Sequence, residues 1–416
     1  MPSPGGQSVR RNRTRKERAA TSTEEGIPYD LTDTQDQETG RPLARAARLP
    51  AVAPRAGKGP AGTAGAGSSP VSSLGPSGLP MLRTSERTTF KRCRWLWKME
   101  FVDLRKPNFD TPPLMFGSML HIALAGWYKK GIKRGESPVN GFYAACVAEA
   151  ERCATRQISA RELMEEWTPR LEMGTSMMEN YIDTYGKDEE WKVLATELPF
   201  QVIVCRPGTA IPWFWYTGIL DLLMQNRSSL KKMVWDHKST AAIQTKYLAL
   251  DEQTTAYWTW GIEALRHKAL IGQNEQIDGI LFNLLRKAKL DERPSKVIDG
   301  HRYYLNQPTK KNPEGEISKT QPPPYFHRES VWRHNIAKER SRERVIGEML
   351  DMEAVRKEPT DRAAYKNNGK FTCAGCWAFD ICELHEIGAD HTSMIEQTTR
   401  VWDPYEAHQI YFAEAR

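Results

Sequence analysis

Hydrophobic and polar positions change period along this chain. Over 84–101 apolar and basic residues recur at helical spacing through Phe90, Cys93, Trp97 and Phe101, and three prolines within 107–113 end the pattern. Leu120, Ala123, Leu124, Trp127 and Tyr128 then mark one face of a helix over 117–128. Further helices are predicted over 138–155 and 159–185. After Glu190 the period shortens to that of extended chain. Strands are predicted over 196–205, 213–224 and 232–238, the last two joined by a polar turn at 225–229. A helix over 251–267 carries Tyr257, Trp260, Ile262 and Leu265, and 276–286 reads as another strand. The Pro/Lys-rich stretch 307–324 is expected to be a loop and 327–357 a charged helix. This order predicts an α/β or α+β fold in which helices flank a central sheet, with a helical N-terminal part. There is no internal repeat. The most apolar stretch, 207–224, contains Gly, Pro and Asp221 and reads as strand, not as a membrane span.

Composition divides the chain. The first 80 residues hold no Trp, Phe or Cys and only 11 residues of Val, Leu, Ile, Met or Tyr. Such a segment buries too little apolar surface to offset its ordering entropy. Residues 1–83 are therefore predicted to be a disordered tail, basic at first and Ala/Gly/Pro-rich over 41–80, and 84–416 to be the folded domain. Net charge is +7, and the first 80 residues supply +4 of it, so the folded part is only mildly basic and charge is a weak pointer to a polyanion. The run Arg10, Arg11, Arg13, Arg15, Lys16 and Arg18 is either a nucleic-acid contact or a solvated tail. No apolar run follows Met1, so no secretory leader is expected and a cytoplasmic location is. In a reducing compartment, clustered cysteines bind metal more often than they pair.

The candidate chemistry lies on the second and third predicted strands, at Thr217-Gly218-Ile219-Leu220-Asp221 and Val234-Trp235-Asp236-His237-Lys238. Residues two apart on a strand share a face, so Asp236 and Lys238 point together while His237 points away. A hairpin brings Asp221 alongside Asp236. Two buried acids side by side are costly unless a cation compensates, so the group is a candidate divalent-metal site suited to phosphodiester hydrolysis, with the lysine orienting water or countering developing charge. An ordinary surface salt bridge is the plainer alternative. Gln253 and Tyr257 share one face of the next helix, and His121 offers an imidazole from the helix containing Gly117 and Ser118.

Near the C-terminus, Cys373, Cys376 and Cys382 form a C-x2-C-x5-C run. Its fourth ligand is either His385, giving a zinc knuckle, or Cys93 from far upstream. Cys146, Cys153 and Cys205 stand among apolar residues and are expected to be core thiols.

The ordered set of Cys93, the Gly117-Ser118…His121 helix, Gly218…Asp221, Asp236-His237-Lys238, Gln253-x3-Tyr257 and the late cysteines resembles the RecB-like branch of the PD-(D/E)XK nuclease superfamily, over about 85–385. Within it the chain is most similar to the four-cysteine exonucleases, which include the CRISPR-associated type, the AddB helicase-nuclease and phage relatives. The resemblance implies a restriction-endonuclease-like core with a central mixed sheet flanked by helices, and a 4Fe-4S cluster on Cys93, Cys373, Cys376 and Cys382. It implies Mg²⁺ or Mn²⁺ bound by His121, Asp221, Asp236 and the main-chain carbonyl of His237, with Lys238 as catalytic lysine and Gln253 and Tyr257 as the QxxxY pair. Glu197, just before a strand, matches an additional acidic position. The implied partner is DNA, as ends, single strands or duplex, contacted through residues such as Arg286, Lys287 and Lys289. No membrane is implied, and a recombinase or single-strand-annealing partner fits the phage or bacterial recombination and repair context. Two rival expectations are a non-catalytic DNA-end-binding accessory protein and an endonuclease of the same superfamily. No G-x-x-x-x-G-K-[ST] motif accompanies the nuclease pattern, so a fused helicase is not expected.

Overall fold

The computed structural model describes residues 75, 78–108, 112–154, 160–299, 301–406 and 408. The predicted tail lies outside the described residues up to 74. The described chain, however, is already ordered before Thr84: Met81–Leu82 forms strand β1, buried and paired parallel to a later strand. These two apolar residues end the Ala/Gly/Pro-rich stretch and seal a sheet edge, which moves the domain boundary back from residue 84.

The predicted N-terminal helix is broken. Helix α1 (Thr84–Arg92) stops at Cys93, whose backbone is extended, and α2 (Arg94–Trp97) restarts and runs into a π-helical turn, Lys98–Val102. Strand β2 (Arg105–Pro107) follows. Helices α3 (Pro112–Trp127), α4 (Pro138–Ala154) and α5 (Ala160–Tyr185) then precede three long strands: β3 (Trp191–Cys205), β4 (Pro212–Asn226) and β5 (Lys232–Thr240). The helix predicted over 251–267 is α6 (Glu252–Ala256), a π-helical turn (Tyr257–Gly261) and α7 (Ile262–His267). Strand β6 (Ile280–Arg286) leads to a small hairpin, β7 (Ser295–Ile298) and β8 (His301–Tyr304), which period reading misses because its residues are mostly exposed and polar.

The charged helix predicted from residue 327 begins only at α8 (Asn335–Lys357). Residues Phe326–Val331 are instead strand β9, an edge strand against β6, whose Arg328 turns into the core where a helix pattern treats it as solvated. Short helices α9 (Lys370–Cys373), α10 (Phe379–Glu386) and α11 (Thr392–Thr398) and strand β10 (Thr399–Val401) complete the described chain. Among the described residues no helix is long and apolar enough to cross a membrane.

The six-stranded sheet is mixed. Strands run in the order β1-β4-β5-β6-β9, with β3 also on β4; β1–β4 and β5–β6 are parallel and the other pairs antiparallel. Alternation sorts its side chains between two helical layers. Leu223, Val234 and Phe282 pack toward α1, α7 and α8, while Leu222, Trp235 and Leu281 pack toward α3, α4 and α5. The central mixed sheet flanked by helices is thus as the sequence led us to expect. A separate two-stranded pairing of β10 on β2 returns the C-terminal part to the N-terminal part.

Candidate functional site

Strand β4 is paired along both edges, and one of them is shared. Along the other edge it pairs with β3; on this edge β1 takes Trp215 and Tyr216, while β5 takes Leu222 to Gln225. Beyond the last β4–β5 pair, Leu222↔Trp235, β5 stays with β6 and parts from β4. Asp221 and Asp236 are the first residues past this fork, one on each strand. The amide of His237 bridges it, donating to Asp221 Oδ2 at 2.7 Å. Both acids are buried.

A second carboxylate confronts Asp221 from the opposite edge. The flanking pairs Thr196↔Leu222 and Leu198↔Leu220 set Glu197 across from Asp221, inside β3 and not before it. Glu197 holds φ +45°, an uncommon left-handed conformation for a residue with a side chain, in a strand whose register also slips between Val193 and Ala195. From α3, His121 brings Nδ1 to 3.4 Å from Asp221 Oδ2. One ligand atom each from His121, Glu197 and Asp221 lie within 4.8 Å of one another. Burial opposes charge on His121, but Asp221 raises its pKa to about 9. Burial, joined by the charge of Asp221, pushes Glu197 up to about 7. Burial would raise Asp221, yet His121 holds it below the ordinary carboxylate value.

Asp236 stands outside that trio. Its Oδ2 is 2.9 Å from Lys238 Nζ, but the ammonium is out of line for a hydrogen bond, so neither buried oxygen has a donor. Burial pushes the Asp236 carboxyl up against the pull of Lys238. A buried carboxylate without donors, beside two acids facing each other across strands, is the electrostatic pattern that a cation relieves. The donor set of carboxylates with one imidazole suits a hard divalent ion. Replacing one facing acid separates repulsion from ligation. Glu197→Gln is expected to raise the melting temperature of metal-free protein, by up to about 1 kcal/mol in stability, and to shrink the further rise on adding Mn²⁺. Thermal melts with EDTA and with Mn²⁺ check both signs, and a lower metal-free melting temperature would contradict the repulsion.

Lys238 reaches from β5 to α6, donating to Gln253 Oε1 at 2.6 Å, and Gln253 Nε2 donates to Tyr257 OH at 2.5 Å. Gln253 and Tyr257 are thus joined in one chain with the lysine, as the helical spacing suggested. Asp251 caps α6 by accepting from the Thr254 amide at 2.8 Å, which fixes the helix start that presents Gln253. Burial opposes the Lys238 charge, but Asp236 keeps its pKa raised, at about 12.

The His237 side chain points to the opposite sheet face, as alternation requires. Its Nδ1 accepts from Asn283 Nδ2 at 2.8 Å, and that amide also donates to Tyr181 OH at 2.9 Å. The ring stacks on Tyr128, and burial lowers its pKa to about 3. Tyr128 and Tyr181 join Asp188 and Arg328, whose guanidinium lies 3.6 Å from the Tyr185 ring centroid and pairs with both Asp188 oxygens at 2.6 and 2.8 Å. This buried network, missed in the sequence because its members are far apart along the chain, braces the peptide between Asp236 and Lys238 from below.

Beside the fork lies a cavity of about 970 Å³, lined by Thr217, Gly218, Asp221, Gln253 and Tyr257 and walled on α1 by Ser85, Thr89, Lys91 and Arg92. Gly218 is required there: a Cβ would sit 2.6 Å from the Phe200 ring. The expected DNA contacts Arg286, Lys287 and Lys289 are engaged within the protein. Arg286 donates to the carbonyls of Pro323 and Pro324, Lys287 to that of Pro113, and Lys289 pairs with Glu172. The basic wall on α1 lines the same cavity as Asp221, with Lys91 paired to Glu252 and Glu348.

At the far end of α1, Cys93 packs with Cys376 and Cys382 around Trp95, Leu96, Met99, Ala378 and Ile381. Burial pushes the Cys376 and Cys382 thiols up, and the charges of Cys93 and Cys373 add to it, so four thiols from opposite ends of the chain share one electrostatic neighbourhood. Gly375 at φ +68° makes the turn that carries Cys376 back toward Cys373, its amide donating to the Cys373 carbonyl at 3.0 Å. Arg92 clamps the run by donating to the Thr372 carbonyl at 2.6 and 3.2 Å. His385 is engaged elsewhere, with Nδ1 2.9 Å from Lys366 Nζ and its ring against Trp95 and His391. Cys146 is buried, while Cys205 is half-exposed and so no core thiol; the side chain of Cys153 lies outside the described residues.

Residues 84–383 match the family model of the PD-(D/E)XK nuclease superfamily. No curated protein matches the chain.

Proposed function

The chain belongs to the PD-(D/E)XK nuclease superfamily, and from that premise we propose that it is a divalent-metal-dependent exonuclease of DNA, of the RecB-like four-cysteine type. The observation that carries this reading is the fork between β4 and β5, where Asp221, Asp236 and Lys238 meet. Its setting is phage or bacterial DNA recombination and repair.

In this reading His121, Asp221 and Asp236, with the His237 carbonyl and Glu197, hold Mg²⁺ or Mn²⁺. When bound, such an ion neutralises phosphate charge and acidifies water. The remaining work belongs to the chain. The His237 amide keeps Asp221 turned toward the fork. Lys238, positioned by Asp236 and Gln253, directs its remaining N–H bonds at the attacking water or at charge developing on the phosphate. Tyr257 accepts from the Gln253 amide and so fixes the carbonyl that holds Lys238.

Cys93, Cys373, Cys376 and Cys382 are proposed to hold a 4Fe-4S cluster. The convergence of Cys93, Cys376 and Cys382 around one apolar nucleus, with Cys373 in their electrostatic neighbourhood, supports it, and the engagement of His385 by Lys366 speaks against a local zinc knuckle. The test of the activity is digestion of end-labelled linear and closed circular DNA with Mg²⁺ or Mn²⁺. Release from linear ends with the circle intact is expected. A ladder from the closed circle would make the protein an endonuclease, and binding without cutting would make it an accessory protein.

A further inference from the structure

Thr217 lies four residues before Asp221 on β4, so alternation turns both side chains to one sheet face, about 13 Å apart along an extended strand. Thr217 is buried, and its hydroxyl lies 2.8 Å from Nδ1 of His408. Both residues line the cavity beside the fork, together with Asp221, Gln253 and Tyr257.

His408 comes from the segment after β10, and that segment is built into place. The Tyr405 amide donates to Asp403 Oδ1 at 2.8 Å, its hydroxyl donates to Glu86, and the guanidinium of Arg83 lies 5.4 Å from its ring centroid. The His408 amide then donates to the Tyr405 carbonyl at 2.8 Å. The imidazole is only 5% exposed. Burial, joined by the charge of Arg83, lowers its pKa to about 4, so the ring carries no charge near pH 7. A buried imidazole costs more than an apolar side chain of its size unless both nitrogens find partners, and Thr217 serves one of the two.

We propose that the Thr217 hydroxyl donates to Nδ1 and so leaves the ring proton on Nε2, from which His408 donates to a phosphate oxygen of bound DNA, a few phosphates along the strand from the bond being cut. The inference rests on the nuclease reading and deepens it by naming a substrate contact outside the metal site. A hydrogen bond to a charged acceptor is of the stronger kind, and a ring held at Nδ1 is aimed before the phosphate arrives. Arg83 lines the same cavity and supplies charge, while His408 supplies direction. The contact is to the backbone and is therefore indifferent to sequence.

The test titrates the full chain carrying Lys238→Ala, which binds without degrading its ligand, with DNA oligonucleotides in which one phosphate at a time is replaced by an uncharged methylphosphonate. At one position the replacement is expected to weaken binding about tenfold, and this loss should vanish when His408→Asn is added, because asparagine reaches Thr217 but not the phosphate. His408→Gln, whose amide stands near the place of Nε2, should restore part of it. Thr217→Val, which keeps the imidazole but not its aim, is the second variant and should lose the same position. In the chain with Lys238 intact, His408→Asn should raise KM about tenfold and leave kcat within about twofold. Equal losses at every position with and without His408 overturn the contact, as does a His408→Asn variant whose only change is a lower melting temperature. Protein that never cuts DNA but shows the His408-dependent position keeps the contact and overturns the nuclease reading. Protein that cuts DNA without any such position does the reverse.

Discussion

Replacing Lys238 with alanine is expected to slow DNA hydrolysis by about 10²–10³-fold while leaving the protein folded and still able to bind DNA. The ammonium touches Asp236, and it is aimed by two contacts, 2.9 Å from Asp236 Oδ2 and 2.6 Å from Gln253 Oε1. A donor fixed in this way costs no reorganisation when charge builds on the phosphate, which is why its loss should fall on kcat more than on KM. The side chain is about a quarter exposed, so its truncation leaves no large cavity. The measurement is single-turnover digestion of end-labelled DNA at saturating Mn²⁺, beside the wild type. Cleavage at the wild-type rate would remove Lys238 from the chemistry and, with it, the assignment of the β4–β5 fork as the active centre.

Cys93→Ser is expected to remove the visible absorption of an iron–sulfur protein from anaerobically purified material and to destabilise the domain by about 5 kcal/mol, the order of the loop-closure entropy for a long cross-linked loop. Cys93 is supplied by the break between α1 and α2, and the other three thiols by the run ending at α10, so a shared cluster closes most of the domain into one loop. Urea denaturation and metal analysis of the variant test both halves. Colourless wild-type protein that contains zinc, and whose midpoint ignores Cys93→Ser, would overturn the cluster.

Much of this site is legible in the sequence because its residues lie close together on regular elements. Period 2 places Asp236 and Lys238 on one face and turns His237 away, and the spacing of four places Gln253 above Tyr257; the structure has both. Glu197 is harder to read. Its partnership with Asp221 depends on cross-strand register and on a left-handed backbone within β3, and neither leaves a mark on local composition. Asn283 and Arg328 sit in segments whose pattern says only strand or helix, and their roles arise from contacts made across the sheet. β9 misleads for a related reason, since a strand that buries an arginine against Asp188 and two aromatic rings does not alternate apolar with polar. The break at Cys93 has no Gly or Pro to announce it, although the apolar positions around it are helical.

The return of the C-terminal part onto the N-terminal part also sets an order of assembly during synthesis. Arg105–Pro107 pairs with Thr399–Val401, Arg92 clamps the Thr372 carbonyl, and Glu86 is engaged by Tyr405 and Arg356. At about 5–20 residues per second a ribosome needs roughly 15–60 s to travel from the first of these partners to the last. Until Arg356 and Tyr405 emerge, Glu86 stands without these two partners and the Trp97 ring without the guanidinium over it. Completion of the domain therefore waits on residues 399–405, and a chain cut short before α8 leaves its opening helices exposed to proteases.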